Sequence, residues 1–284
     1  MSWRGGSPTP AAQFAGRFEN CPRKIALRSG LCVQADLESI EYAYWLDQLG
    51  TALHYHRKLW ELAYVCQVAW QTGSLAAGKR GLGFAVGTEE LPSYFAARGV
   101  KVHATDAPAH LSLGWADTNQ HAATLESVFR PKLISRELFD RNVSFEPVDM
   151  NRIPDSLRDF DFCWSICALE HLGSLRHGAD FVLNSLKTLR SGGYAIHTME
   201  YNVSSNDRTL DHASTVVFRR QDLERIAEQA ARLGHEVTPL DFSTGRLPLD
   251  EYVDLPPFAE HAPQLKLLIR EFACTSFGLV IRKK

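Results

Sequence analysis

Residues 79–92, Lys-Arg-Gly-Leu-Gly-Phe-Ala-Val-Gly-Thr-Glu-Glu-Leu-Pro, constrain this chain more than any other stretch. A short apolar run passes into small residues, and a helix-like segment follows over 91–98. A second short run, 100–105, then ends on Asp106. The order reads as strand, tight turn, helix, strand, acid. Small residues at such a turn let the backbone approach a ligand, and the helix N-terminus offers unpaired N–H groups. An acid ending the second strand accepts hydrogen bonds from ribose hydroxyls. Asp106 stands 21 residues after Ala85 and 19 after Gly87, spacings that suit a nucleoside-type ligand.

The alternation continues downstream. Residues 143–148 read as a third strand ending on Asp149-Met150-Asn151, and 160–165 as a fourth, followed by a helix over 169–189. Gly192-Gly193 turns into a fifth strand at 194–199. Residues 222–233 form an amphipathic helix with Leu223, Ile226, Ala227, Ala230 and Leu233 on one face and Gly234 just past its end. A sixth strand at 235–242 and a last one at 276–282 complete the pattern. Strands alternating with helices predict an α/β fold, a doubly wound and mostly parallel sheet, with ligand at the carboxyl ends of the strands.

Three parts are expected. Residues 1–36 read as a mobile N-terminal segment, with no apolar stretch of signal-peptide type at the start. Residues 37–78 read as a helical cap, with apolar residues at three- and four-residue steps and many aromatics and histidines. Residues 79–284 form the main domain, with polar or proline-rich insertions at 107–142 and 243–272.

Charge narrows the partners. The formal net charge is −2, and the basic residues pair only locally, as Lys79-Arg80, Arg219-Arg220 and Lys283-Lys284. This favours neither nucleic acid nor an anionic membrane, and no apolar run is long enough to span a bilayer. The six cysteines, 21, 32, 66, 163, 167 and 274, form no CxxC pair. They read as reduced thiols of a cytoplasmic protein.

Taken together, Gly83-Phe84-Ala85-Val86-Gly87-Thr88-Glu89, Ala104-Thr105-Asp106, Asp149-Met150, Phe160-Asp161-Phe162, Ala168-Leu169-Glu170-His171-Leu172 and Arg190-Ser191-Gly192-Gly193-Tyr194 resemble a known family. The chain looks like a class I S-adenosylmethionine-dependent methyltransferase of the stand-alone bacterial, methyltransferase-11-like type. The resemblance covers residues 81–193 and implies a seven-stranded Rossmann-like methyltransferase fold. Gly83 stands where the family usually has an acid, Ala85 and Glu89 flank the one retained Gly87, and Ser191 replaces a proline.

Carried over position by position, Gly83, Ala85, Val86 and Gly87 would line the methionine side of S-adenosylmethionine. Asp106, with Ala107 beside it, would take the ribose hydroxyls. Asp149 would accept from the adenine amino group beside Met150, and Ser165 and Ile166 would pass near the sulfonium. Methyl transfer from a sulfonium is an in-line displacement for which a protein supplies mainly alignment and exclusion of water. A hydroxyl acceptor also needs a base, and His171 and Glu200 are the candidates. His197, inside the fifth strand, reads as a buried, hydrogen-bonded histidine. His56, Trp60, Tyr201, Asn202 and His261 are candidate contacts to the acceptor, a small polar molecule or a glycan hydroxyl. His171, His197, Glu200 and His212 show no recognised ligand spacing, so no metal is expected.

Two other functions compete. Gly81-x-Gly83-x-x-x-Gly87 also suits an NAD(P)-dependent oxidoreductase, but short-chain enzymes of that kind need a Tyr four residues before a Lys. Here His54 precedes Lys58, Ala97 precedes Lys101 and Leu183 precedes Lys187 at that offset. A non-catalytic S-adenosylmethionine-binding partner protein is the other alternative.

Overall fold

The computed structural model describes residues 18–111, 120–258 and 262–284. In chain order the elements are β1 (Ser29–Leu31), α1 (Gln34–Leu37), α2 (Ile40–Leu49), α3 (Arg57–Gln71), β2 (Arg80–Phe84), α4 (Leu91–Ala97), β3 (Lys101–Asp106), α5 (Arg136–Asn142) and β4 (Val143–Pro147). There follow β5 (Phe160–Ile166), α6 (Leu175–Ser185), β6 (Leu189–Asn202), α7 (Arg220–Arg232), β7 (Glu236–Val237), β8 (Leu240–Asp241), α8 (Pro248–Glu251), β9 (Leu267–Ile269) and β10 (Phe272–Arg282).

The strands form one sheet in the order β4-β3-β2-β5-β6-β10-β1-β8, with β7 and β9 also paired to β10. The five strands from β4 to β6 are parallel, and β10 runs antiparallel to β6. The order reverses between β2 and β5. In open α/β sheets such a switch point leaves a crevice at the carboxyl ends of the strands. Short strands β1, β8 and β9 add to the seven expected.

Sequence alternation explains the two layers. On β5, Phe162 and Trp164 face the layer of α2, α3, α4 and α5, while Cys163 faces the layer of α6 and α7. Neighbouring β2 has glycines on the first of these faces. A Cβ at Gly81 would lie 2.6 Å from the Phe162 ring, and one at Gly83 2.5 Å from Trp164. The Gly-Leu-Gly-Phe pattern thus gives up two side chains to seat two aromatic ones, both fully buried. Burying each ring contributes about 1.5–3 kcal/mol. On the opposite layer Leu223, Ile226 and Ala230 of α7 are buried, as its spacing predicts, whereas Leu233, expected on the same face, lies past the helix end and is exposed.

Local caps set the helix starts. Ser39 accepts from the Tyr42 N–H and Ser174 from the His177 N–H, satisfying otherwise orphaned donors. Gly50, at φ 68°, ends α2.

Two expectations change. The segment 1–36 is not mobile throughout, because Ser29–Leu31 is a buried strand paired with β10; residues 1–17 lie outside the described residues. The helices of 37–78 pack against the sheet. Their Trp45, Leu46, Val65 and Cys66 share one core with Phe95, Phe162 and Trp164, and the Tyr64 ring lies where Gly278 of β10 lacks a side chain. Finally, β6 starts at Leu189, before the Gly-Gly pair, which sits at a register shift rather than in a hairpin-like turn. No helix among the described residues is long and apolar enough to cross a membrane.

Candidate active site

A cleft of about 840 Å³ opens at the switch point. Its walls come from the loop after β2 (Ala85, Val86, Gly87, Glu89), the end of β3 (Asp106, Ala107), residues Val148 to Asn151 after β4, and Ile166 to Ala168 after β5. Lys58, Gln120, His121, His171, Glu200 and Ile269 are among the other residues that line it.

The loop after β2 is held by Asp106. Its carboxylate accepts the N–H groups of Gly87 at 3.0 Å, Ala107 at 2.7 Å and Ala122 at 2.8 Å. Burial pushes the Asp106 carboxyl up, and the three N–H groups pull it down. Gly87 has φ 53°, and a Cβ there would stand 2.4 Å from the Gln120 carbonyl oxygen. Only glycine fits that backbone without strain. Ala85, at φ 47°, holds the same left-handed conformation at a cost.

Glu89 supplies a carboxylate that the sequence motif did not place. Trp164 occupies the space that the missing side chain of Gly83 leaves free, and its indole N–H donates to Glu89 Oε1 at 2.8 Å. Burial raises the Glu89 carboxyl well above the ordinary range, with Trp164 pulling the other way.

Beyond the β5 end lies a buried polar cluster. Arg57 and Glu61 project from the first turn of α3 and are 4% and 0% exposed. Arg57 pairs with Glu200 at 2.5 Å and with Glu61 at 3.6 Å. Lys58 reaches the same two acids at 3.5 and 3.7 Å. Glu61 accepts from the Cys167 thiol at 3.1 Å, from the Thr198 hydroxyl at 2.8 Å and from Ser276. Glu170 is fully buried, and neither carboxylate oxygen has a hydrogen-bond partner; Glu200 Oε2 is likewise alone. Burial pushes the Glu170 carboxyl up to about 7, against the pull of Lys58.

His171 follows at the cleft wall. One ring nitrogen, Nδ1, lies 2.8 Å from the Ser214 carbonyl. A carbonyl only accepts, so Nδ1 carries the proton, and a neutral ring then has its lone pair on Nε2.

The structure therefore brings Ala85, Val86, Gly87, Asp106, Ala107, Asp149, Met150, Ile166, His171 and Glu200 to one cleft. Other candidates stand elsewhere. Gly83 lies beneath Trp164. Ser165 is fully buried with its hydroxyl on His197 Nδ1 at 2.8 Å. Trp60 stacks on Tyr64 and donates to Asp36 at 3.0 Å. Tyr201 packs against Phe242 and Phe277. Asn202 ties the following loop, donating to the Arg208 carbonyl and accepting from the Ser204 and Ser205 N–H groups. His56 caps α3 through Lys58 N–H, and burial lowers it to about 4. The physical reason is common to several: alternation along β6 and the turn into α3 send these side chains into the core, not over the strand ends. His261 lies outside the described residues.

Sequence reasoning missed Glu89, Arg57, Lys58, Cys167 and Glu170. Arg57, Lys58 and Glu61 fall in one helical turn, a spacing that signals charges sharing a face. What they face depends on where α3 packs, which no local spacing encodes.

No protein-family model and no curated protein matches the chain. Among solved structures it is similar to TehB from Haemophilus influenzae, with 15% identity over 86% of this chain and 67% of that one, at a TM-score of 0.48. It is similar to the CcbJ methyltransferase from Streptomyces caelestis, with 13% identity over 76% and 93% of the two chains, at a TM-score of 0.45. A protein from Galdieria sulphuraria, provisionally assigned as a sarcosine dimethylglycine methyltransferase, shares 17% identity at a TM-score of 0.42. That match covers 63% of this chain and spans 60% of the Galdieria chain.

Proposed function

We propose that this chain is an S-adenosylmethionine-dependent methyltransferase acting on a hydroxyl of a small polar molecule or glycan. The observation that carries the reading is the convergence of Glu89, Asp106, Asp149 and His171 on one cleft at the switch point of the sheet.

The residues fit the cofactor. Glu89 is a desolvated carboxylate with one neutral donor, which suits an ammonium such as that of the methionine moiety. Asp106 Oδ1 keeps a lone pair beyond the Ala107 N–H, enough for one ribose hydroxyl, while Oδ2 is filled by the Gly87 and Ala122 N–H groups. Val148, Met150 and Ile166 offer an apolar wall for a purine, with Asp149 at its edge. When bound, S-adenosylmethionine supplies an electrophilic methyl group on a positively charged sulfur.

The chain's own residues do the rest. The backbone of 85–87 and Asp106 fix the ligand's place. His171, oriented by the Ser214 carbonyl at the cleft wall, is the residue assigned to take the acceptor's proton. Arg57 and Lys58 hold Glu200 at the cleft wall, where its carboxylate can orient a hydroxyl. Alignment and exclusion of water then account for most of the acceleration.

The test is a thermal-shift comparison followed by a screen for S-adenosylhomocysteine release against pooled sugars, phenols and amines. S-adenosylmethionine should raise the melting temperature through linkage to the native state, and NADP should not. A shift with NADP alone overturns the reading. Turnover confined to amines overturns the hydroxyl acceptor and leaves the cofactor.

A further inference from the structure

The buried cluster at the end of β5 holds more acid than its cations match. Glu61, Glu170 and Glu200 face Arg57 and Lys58. Glu61 is satisfied by Cys167, Thr198 and Ser276, and Glu200 Oε1 by Arg57. Both oxygens of Glu170 and Oε2 of Glu200 remain without partners in full burial. A buried carboxylate left this way costs several kcal/mol.

Ligand atoms of Cys167, Glu170 and Glu200 all lie within 4.8 Å of one another. Two of these residues, Cys167 and Glu200, also line the cleft. One thiol and two carboxylates within this reach resemble the donor set of a three-ligand metal site that keeps an open position.

We propose that Cys167 Sγ and the carboxylates of Glu170 and Glu200 bind a divalent cation of borderline softness, Zn²⁺ above all, with its open position toward the cleft. The sulfur selects against the hard ions Mg²⁺ and Ca²⁺. The thiol proton and the proton that the raised Glu170 carboxyl holds leave to solvent on binding, and the sulfur's hydrogen bond to Glu61 is given up. Glu61 keeps Thr198, Ser276 and the Arg57 and Lys58 cations. Charge then balances: three carboxylates and one thiolate meet two side-chain cations and one divalent ion. The assignment does not rest on methyl transfer, but it gives Glu200 to the ion in place of an acceptor hydroxyl. Glu170, absent from the site residues that sequence reasoning singled out, becomes a ligand, while His197 is excluded because its ring is held between Ser165 and Ser185.

The experiment uses the full chain, stripped with chelator and reloaded with one equivalent of Zn²⁺ or Co²⁺. Elemental analysis after gel filtration should find one metal per chain. The Co²⁺ form should show a sulfur-to-metal charge-transfer absorption. Cys167→Ser should abolish that absorption, and Glu170→Gln should weaken Zn²⁺ binding at least a hundredfold. Glu170→Gln keeps the side-chain volume and the thiol, so it carries the test should Cys167→Ser not fold. Wild-type protein that retains no metal overturns the proposal. So does a charge-transfer band or an affinity left unchanged in either folded variant, since the metal is then held elsewhere.

Discussion

Trp164 donates its indole N–H to Glu89 across 2.8 Å, through space that exists because residue 83 is glycine. One substitution pattern thus connects the core to the cleft. The glycines of β2 admit aromatic rings from β5, and one ring fixes the carboxylate that would meet the cofactor's ammonium. On the proposed reading, Glu89 of the loop, six residues after Gly83, takes the place of an acid in the strand.

This relationship predicts different outcomes for its two partners. Glu89→Gln retains an acceptor for the indole and should leave stability near wild type. It removes the carboxyl that the cofactor's ammonium would ionise on binding, so S-adenosylmethionine affinity should fall about tenfold, or about 1.4 kcal/mol. Trp164→Phe should instead cost about 1–3 kcal/mol of stability, because it leaves Glu89 without its donor and opens space in the core. Calorimetric titration and urea unfolding separate the two. An unchanged Kd for Glu89→Gln would remove Glu89 from the binding site.

Asp106 has a structural duty that its motif does not announce. Asp106→Ala leaves the N–H groups of Gly87, Ala107 and Ala122 without their acceptor. Stability should drop by about 2–4 kcal/mol, and hydrogen exchange should accelerate at the Gly87 and Ala122 amides specifically. Cofactor binding should fall with it. Unaltered exchange at those two amides would mean that the clamp is not what orders the loop.

Gly87→Ala tests the turn itself. The new methyl would meet the Gln120 carbonyl at 2.4 Å while the backbone holds φ 53°. The variant should lose about 1–2 kcal/mol from backbone conformation alone and bind S-adenosylmethionine far more weakly. Melting temperature and a titration check both. Gly50→Ala is the control, since its φ is 68° and nothing lies within 4 Å of a Cβ there; it should lose stability without losing affinity.

The strands, their order of appearance and the acid at Asp106 were legible because periodicity and turn residues are local signals. The glycines of β2 were legible as small residues but not in purpose. Gly83 answers to Trp164, 81 positions away, and only pairing of β2 with β5 brings the two together. Tyr201 and Asn202 were placed over the cleft because a strand was expected to end at residue 199, and β6 instead runs to Asn202. The polar cluster was hidden for the same reason. Arg57 lies 143 positions before Glu200, and nothing near either residue declares the other.

His197 gives a pH dependence whose sign follows from its hydrogen bonds. Ser185 Oγ gives its proton to the Val182 carbonyl at 2.7 Å, so it can only accept from His197 Nε2 at 3.0 Å. Nδ1 then accepts from the Ser165 hydroxyl at 2.8 Å. The neutral ring is fully paired and has no site for a second proton. Burial lowers it to about 3, from an ordinary 6.5. Below 6.5 the unfolded chain therefore binds a proton that the folded chain refuses, so acid favours unfolding. The contribution is flat above 6.5, and stability falls by about 1.4 kcal/mol per pH unit between 6.5 and 3. Urea unfolding at about pH 7.5, 6, 5 and 4.5, which covers the upper part of that window, should give a steeper acid loss for wild type than for His197→Gln. The variant is less stable at neutral pH but lacks this one proton, and the difference in slope isolates it from the other acids. Parallel slopes would show that the ring takes up its proton without unfolding.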